Sequence, residues 1–247
     1  MKIKTYGISD VGKIRELNED SFGIYNPGVE YGCFAVLADG MGGHNAGEVA
    51  SSMAVDLIAS ELEKSAAERS RDIIVYNIVS AIDYANKKIF DLSVSDLSKS
   101  GMGSTLVTAY VNGEDVYFAN IGDSRAYVIG EDNIKQVTVD HSLVQEMVDK
   151  GMITKEEAKH HPEKNLITRA LGTEKFVEAD IFEYSVKQGD IVLLCSDGLV
   201  EYIDEKDIRD IVRNAGNIED AAKKLVSAAN DGGGHDNITV VILEFDK

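Results

Sequence analysis

The sequence is poor in several residue types, and each shortage excludes a class of protein. It has only two cysteines, Cys33 and Cys195, each inside an apolar segment, which excludes a disulfide framework and a zinc knuckle and indicates reduced core thiols. With only two prolines, the chain shows no interdomain linker. No apolar segment approaches the roughly 20 residues of a membrane helix, and the first residues lack the apolar run of a signal peptide. We therefore expect a soluble cytoplasmic protein.

Basic residues are also scarce relative to acidic ones. Lysine and arginine together number 25 against 43 aspartates and glutamates, so the formal net charge is −18. Because phosphate groups are repelled by such a surface, this balance disfavours nucleic acid and anionic membranes as partners. A cation, or a protein with a basic patch, is a more suitable partner.

Hydrophobic periodicity predicts helices and strands that come in blocks. Long helices are predicted over 49–62 and 74–89, the second capped by Ser70, and shorter ones over 208–212 and 221–229. Strands are predicted at 33–38, 105–111, 115–121, 124–129, 134–138, 191–195 and 238–245. The dipeptide Asn112-Gly113 predicts a type I′ hairpin turn. Since strands and helices do not alternate strictly, we predict an α+β fold of antiparallel sheets flanked by helices, in one domain over 1–247.

The segment 142–172 departs from this pattern because it is polar and contains two short helix-like pieces. Each piece begins with a capping-box sequence, Ser142-x-x-Gln145 and Thr154-x-x-Glu157. We interpret the segment as an exposed insertion between two strands, and hence as a candidate lid.

Four aspartates lie at the ends of apolar runs, namely Asp39, Asp123, Asp197 and Asp236. A single Asp-Gly dipeptide most often only makes a turn. Four carboxylates that converge would repel one another, however, and a hard divalent cation is the usual way to offset that repulsion. Ligand sets made only of oxygen favour Mg²⁺ or Mn²⁺ over zinc.

A second polar group precedes these aspartates, with Arg15 close to Glu19 and Asp20. From these residues alone, two interpretations stay open. The segment is either a surface loop with an ion pair, or a site in which the acids serve a metal and its waters. In the second case Arg15 would bind an anionic substrate, because the guanidinium fork matches two phosphate oxygens.

In their order along nearly the whole chain, the motifs resemble those of the bacterial metal-dependent protein phosphatases (PPM, or type 2C). The matching blocks are Asp10-x-Gly12-x-x-Arg15-x-x-Asn18-Glu19-Asp20, Ala38-Asp39-Gly40-Met41-Gly42-Gly43-His44-x-x-Gly47-Glu48, Gly101-Met102-Gly103-Ser104-Thr105, Gly122-Asp123-Ser124-Arg125, Asp140-His141-Ser142, Ser196-Asp197-Gly198-Leu199 and Asp236-Asn237. Any one block is weak, but all of them in this order are specific.

The resemblance implies a four-layer α-β-β-α sandwich, with a binuclear Mn²⁺ or Mg²⁺ centre at one end. By motif position, Asp39 would bridge the two ions, and Asp197 and Asp236 would complete the first site. The second site would be served by the Gly40 carbonyl, by Asp20 and, through water, by Glu19.

The same resemblance implies roles for three further parts of the chain. Arg15 would hold the substrate phosphate, and Asp123 together with Asp197 would bind a third, weaker metal. The insertion 142–172 would be the family's flap, which tunes substrate access.

The implied reaction is direct attack on a phosphoserine or phosphothreonine ester by a water or hydroxide that bridges the two metals, without a covalent phosphoenzyme. Other phosphatase chemistries do not fit, because neither cysteine has an arginine six residues later and no Asp-x-Asp pair occurs. One position departs from some family members, since Met41 stands where they have a histidine as the proposed acid. A metal-bound water or His44 would then donate the proton, although we interpret His44 as structural.

The expected partners are proteins phosphorylated on serine or threonine and a cognate kinase whose signalling the enzyme reverses, without nucleic acid or membrane. The chain is expected to be a monomer. Two alternatives remain, a phosphatase of the same fold dedicated to one sigma-factor regulator in a partner-switching pathway, and an inactive interaction module.

Overall fold

The apolar runs of the sequence form two antiparallel β-sheets that stack face to face. The computed structural model describes residues 2–26, 28–42, 46–64 and 67–246. Its strands are β1 (Lys2–Asp10), β2 (Asp20–Tyr25), β3 (Tyr31–Met41), β4 (Gly103–Ser104), β5 (Leu106–Asn112), β6 (Asp115–Ile121), β7 (Arg125–Ile129), β8 (Ile134–Gln136), β9 (Asp180–Ser185), β10 (Ile191–Cys195) and β11 (Ile238–Asp246). The first sheet has the strand order β1-β11-β10-β7-β8. The second has the order β2-β3-β5-β6-β9, with β4 paired to β3.

Helices flank or connect the strands, and two pairs of them cover the outer faces of the sheets. They are α1 (Ala46–Glu63), α2 (Arg71–Ser95), α3 (Leu143–Asp149), α4 (Lys155–Lys159), α5 (Asp197–Val200), α6 (Glu205–Arg213) and α7 (Ile218–Gly232). The pair α1 and α2 packs on the second sheet, and the pair α6 and α7 packs on the first. The predicted α+β fold, an α-β-β-α sandwich, is therefore confirmed. None of the described helices is both long and apolar enough to cross a membrane.

Three apolar layers separate the four structural layers, and they explain the uninterrupted apolar runs. In β3, alternate side chains enter different layers, with Phe34 and Val36 under the helices α1 and α2 and Ala35 and Leu37 between the sheets. The same alternation holds along β11 on the other sheet. Because both faces of these strands are buried, successive side chains point into different layers yet all must be apolar.

The hairpin of β5 and β6 is present as predicted, but its turn is not the predicted one. Asn112 pairs with Asp115, so the two-residue loop is Gly113-Glu114. Gly113 has a φ of +69°, whereas among described residues other than glycine only Asn26 has a positive φ. A positive φ at the first loop position alone fits a type II′ turn, so the type I′ prediction for Asn112-Gly113 is wrong by one residue.

The segment 142–172 contains the two predicted short helices, α3 and α4. Thr154 and Glu157 form a complete capping box at α4. At α3 only half of the box is present, because Ser142 accepts the Gln145 N–H while the Gln145 side chain donates to Asp149 instead. The base of the segment is closed by a bridge between Ser142 and Ile167.

Candidate metal centre

Strand pairing places two of the predicted acids side by side. In the antiparallel pair β2 and β3, Asp20 lies opposite Asp39. Asp20 is buried, and its Oδ2 accepts hydrogen bonds from Ser196 Oγ at 2.8 Å and from Thr239 Oγ1 at 2.6 Å. Both hydroxyls belong to the first sheet, so Asp20 spans the gap between the sheets at this end.

The first sheet contributes two more acids to the same place. Asp197 is the first residue of α5, directly after β10, and Asp236 lies just before the neighbouring strand β11. The Asp197 and Asp39 side chains share a hydrogen bond, so the ends of both sheets meet there. Asp123, in the turn between β6 and β7, interacts electrostatically with Asp197 and with Asp39. The four sequence-predicted aspartates therefore converge with Asp20.

Two glycines allow the backbone segments at this site to approach closely. A Cβ on Gly40 would collide with the carbonyls of Gly47 and Glu19, and one on Gly198 would collide with the carbonyl of Asn237. The Gly40 N–H donates to the Glu19 carbonyl at 3.0 Å. Glycine after Asp39 and after Asp197 is thus required by close packing and does not merely mark a turn.

The surroundings of the cluster strongly disfavour the ionised form of its carboxyl groups. Burial, followed by repulsion from the neighbouring aspartates, raises the pKa of Asp39 well above its usual value. Burial is also the largest cause that raises the pKa of Asp20 to about 7, of Asp197 to about 6 and of Asp123 to about 8. Without a positive partner, Asp39 and Asp123 would be largely protonated near neutral pH and Asp20 about half protonated.

The buried oxygens that lack partners fit a divalent cation. Glu19 Oε1, Asp20 Oδ1 and Asp197 Oδ1 are buried and accept no hydrogen bond from the residues that the structure describes. Such atoms are costly unless something satisfies them, and hard oxygen donors are the ligands that Mn²⁺ and Mg²⁺ take. The donor set at this end of the sandwich therefore fits the predicted metal class.

The described side chains are not preformed as a coordination shell. Among them, no group of three or more His, Cys, Asp or Glu residues could hold an ion as it stands. The acids bond to other partners instead, Asp197 to Asp39 and Asp236 to Arg15. A cation would have to exchange these partners, and the unpartnered oxygens of Glu19, Asp20 and Asp197 are the donors it would take.

Arg15 lies at the rim of the acidic cluster. Its Nη2 donates to Asp236 Oδ2 at 2.8 Å, and its side chain is 49% exposed. The hydrogen bond to Asp236 is the largest cause that raises the pKa of Arg15, and Glu19 and Asp39 contribute further attraction. Both interpretations of this segment are thus compatible with the geometry, since the ion pair is present and the guanidinium faces the acids.

The sequence analysis missed the polar residues that fix the acids in place. Ser196 and Thr239 hold Asp20, and the buried Asn237 bonds to the loop that carries Arg15. The available signal was a polar residue next to or inside a buried apolar strand, where each polar group needs a partner. The Met41 side chain packs with its methyl group against Gly103. Gly43 and His44 lie outside the described residues.

Comparisons with known proteins agree with the resemblance in the sequence. The family model described as Protein phosphatase 2C matches residues 14–230. The serine/threonine phosphatase stp of Listeria welshimeri is 40% identical over 236 residues, covering 96% of this chain and 93% of the relative. Protein phosphatase PhpP of Streptococcus pneumoniae is 37% identical over 241 residues, covering 97% and 96%.

Solved structures give the same result at the level of the fold. The serine/threonine phosphatase PstP/Ppp of Mycobacterium tuberculosis has a TM-score of 0.89 at 33% identity, with 100% of both chains covered. Stp1 of Staphylococcus aureus has a TM-score of 0.92 at 38% identity, covering 99% of this chain and 96% of that one. The catalytic domain of PstP in complex with two manganese ions has a TM-score of 0.86 at 33% identity, covering 100% and 99%. This chain therefore belongs to the protein phosphatase 2C family.

Proposed function

We propose that this chain, a metal-dependent protein serine/threonine phosphatase, hydrolyses phosphoserine and phosphothreonine in proteins at the acidic end of its sandwich. The observation that carries this proposal is the convergence of Asp20, Asp39, Asp197 and Asp236 from the ends of both sheets. Acids with a purely structural role are not expected to gather where burial opposes their charge. Binding of divalent cations together with a phosphate ester explains why they do.

The proposed ligands follow the geometry of the cluster. Asp39 is central because it pairs with Asp20 across the strands and bonds to Asp197, so it is suited to bridge two ions. Asp197 and Asp236 would complete the first site. The second site would use the Gly40 carbonyl, Asp20 and Glu19.

Asp123 is the proposed ligand of a third ion, shared with Asp197. Its electrostatic interaction with Asp197 and its raised pKa support this assignment. Mn²⁺ and Mg²⁺ both fit the oxygen donors, and when bound they supply the charge that activates a water and neutralises phosphoryl oxygens.

Arg15 is the residue best placed to bind the phosphate. Its guanidinium carries five N–H donors, of which one bonds to Asp236 among the described residues, and about half of the side chain faces solvent. A phosphate can therefore take up the remaining donors in a bidentate contact.

Hydrogen bonds hold the backbone of Asp39 rigid for this chemistry. The Asp39 N–H donates to Thr105 Oγ1 at 2.9 Å, and its carbonyl accepts from Ser104 Oγ at 2.9 Å and from the Thr105 N–H at 2.8 Å. Thr105 Oγ1 in turn contacts Ser124 Oγ, next to Asp123, at 2.8 Å. The backbone of Asp39 is therefore held in place while its side chain exchanges partners.

The state of the cysteines supports direct attack by water. Cys33 and Cys195 are buried, and burial raises their pKa values to about 11 and about 12. Neither thiol is available as a thiolate nucleophile near neutral pH. A route without a covalent phosphoenzyme is the one that the remaining groups support.

We further propose that the chain is one domain, with 142–172 as a flap beside the site. Lys164 Nζ bonds to Glu201 Oε1 at 2.8 Å, which ties the segment to the end of α5, the helix that begins with Asp197. The proposed role is to remove phosphate groups that a serine/threonine kinase has added. A role restricted to one sigma-factor regulator stays open, as does a monomeric state.

The test of the proposed function is phosphate release from a phosphoserine peptide before and after chelation. We expect activity with Mn²⁺, loss of activity in excess chelator and recovery when Mn²⁺ is restored. Asp39→Asn should lower kcat by a factor of about 100 or more, as expected when a group that acts on transition-state charge is removed. The matched control is Asp83→Asn, on the exposed face of α2. Undiminished hydrolysis in chelator, or in Asp39→Asn, would contradict the proposal.

A further inference from the structure

Asn237 is a buried residue whose side chain makes three hydrogen bonds to one loop. It is 4% exposed and lies between Asp236 and β11. Its Nδ2 donates to the carbonyls of Val11 at 3.0 Å and Leu17 at 2.9 Å, and its Oδ1 accepts the Glu19 N–H at 2.8 Å. One amide group therefore closes the loop 11–19 from both ends.

The closed loop is the one that carries Arg15. Between its two ends most side chains are exposed. The Lys13 N–H donates to the Gly234 carbonyl at 2.7 Å, Asn18 Nδ2 donates to Ser9 Oγ at 2.7 Å, and Gly12 packs against the backbone of Asp236. Because it has few buried side chains, a loop of this kind would open at little cost in free energy if its ends were not held. The position of the guanidinium thus depends on what fastens Val11 and Leu17.

Asn237 also links this loop to the acids through its backbone. Its N–H donates to Asp236 Oδ1 at 2.9 Å, while Asp236 Oδ2 accepts from Arg15. Its carbonyl lies against Gly198, directly after Asp197. The residue therefore connects three segments that meet at the site.

Only an asparagine meets these demands at this position. The two carbonyls need two donors on one nitrogen, and the Glu19 N–H needs an acceptor about one amide width away, which is the geometry of a carboxamide. Aspartate would place an oxygen against two carbonyl oxygens. Removing the amide would take away the partner of three part-buried backbone groups, which favours opening of the loop.

We infer that Asn237 is a positioning residue that holds the loop 11–19 closed, so that Arg15 is oriented toward phosphate before substrate arrives. The inference rests on the proposed role of Arg15 as the phosphate-binding residue. It assigns to Asn237 no contact with substrate. The loss of Asn237 should therefore weaken phosphate binding more than it slows turnover.

The chain offers a matched control in Asn86. This residue is also buried, and its Nδ2 donates to the carbonyls of Glu174 and Lys175 while its Oδ1 accepts the Gly172 N–H. The same three hydrogen bonds thus fasten a different turn. Asn86→Ala removes an equal number of side-chain hydrogen bonds without touching the loop 11–19.

The first measurement is hydrogen exchange over residues 11–19 in chelator, which needs neither metal nor activity. We expect faster exchange there in Asn237→Ala than in wild type, and no change there in Asn86→Ala. Asn237→Ser, which keeps a small polar group, serves if the alanine variant does not fold. Unchanged exchange over 11–19 in the Asn237 variants would overturn the inference.

The second measurement is kinetic, with p-nitrophenyl phosphate at saturating Mn²⁺ and inorganic phosphate as inhibitor. Loss of a well-oriented charged contact should raise KM and the phosphate inhibition constant about tenfold in Asn237→Ala, with a smaller change in kcat. In an Arg15→Ala background, Asn237→Ala should add little, because coupled residues are not additive. Full additivity, or a defect in kcat alone, would overturn the inference. A wild-type chain without Mn²⁺-dependent activity would instead overturn the proposed function.

Discussion

At the scale of single residues, the candidate metal centre consists of acids that are buried away from water. Asp20 illustrates this, because two hydroxyls satisfy one of its oxygens while the other has no partner. A buried carboxylate in this state favours either a proton or a cation. The same residue is therefore costly in the free protein and useful in a metal-loaded one.

Arg15→Ala should raise KM for phosphate esters by about tenfold to a hundredfold, the range expected for a lost charge-assisted contact, and lower kcat less. Steady-state kinetics on p-nitrophenyl phosphate measure both quantities. Arg15→Lys is the matched variant, which keeps the charge but loses the bidentate fork. Its KM should lie between those of wild type and Arg15→Ala. An unchanged KM in Arg15→Ala would contradict the phosphate-binding role.

The residue types of the site could be predicted from the sequence, but the bonds that orient them could not. Asp39, Asp197 and Asp236 stand out because a carboxylate at the end of an apolar run needs a reason. The sequence around Asn237 does not indicate that its amide bonds to Val11 and Leu17, more than two hundred residues earlier. Those partners exist only once β11 lies beside β1.

At the scale of secondary-structure elements, periodicity predicted the helices α1, α2, α6 and α7 and the central strands correctly, because burial determines both. The four-residue helix α5 was not predicted. Turn and cap details were less predictable, since they depend on one residue of register. Asn112 pairs with Asp115 instead of entering the turn. Ser70 stands at the N-cap of α2, yet its side chain makes no capping bond, and Glu68 accepts its N–H instead.

Thr154→Ala should loosen α4 and thereby the flap. Loss of the cap costs about 1 kcal/mol, enough to fray a helix of this length. We expect kcat/KM for a phosphoprotein to change several-fold more than for p-nitrophenyl phosphate, which does not need the flap. Asp204→Ala, which removes the cap of α6 outside the flap, is the control. Equal effects on both substrates would contradict a role of the flap in protein recognition.

At the scale of the whole molecule, the acidic centre links stability to pH and to metal. The pKa values of Asp197, Asp20 and Asp123 are raised by burial to about 6, 7 and 8, above those of the unfolded chain. Between roughly pH 4 and pH 8 the metal-free native state therefore binds more protons than the unfolded state. The stability that these groups give the native state is therefore present at low pH and is lost as the pH rises.

We accordingly expect the Tm in chelator to fall between pH 5 and pH 8, and Mn²⁺ to raise Tm more at pH 8 than at pH 5, because protons compete for the same carboxylates. Thermal unfolding followed by circular dichroism measures both trends. Asp39→Asn should reduce the Mn²⁺ effect, whereas Asp83→Asn should not. An Mn²⁺ effect of the same size at both pH values would contradict this linkage.

The position of β11 between β1 and β10 has a consequence for synthesis on the ribosome. Asp236 precedes this strand, so it cannot reach Asp39 and Asp197 until almost all of the described chain has been translated. Asp236 therefore joins Asp20, Asp39 and Asp197 only after the strands that carry the other acids have been translated. Hydrolytic competence should then arise in one late step, when the final strand enters the sheet.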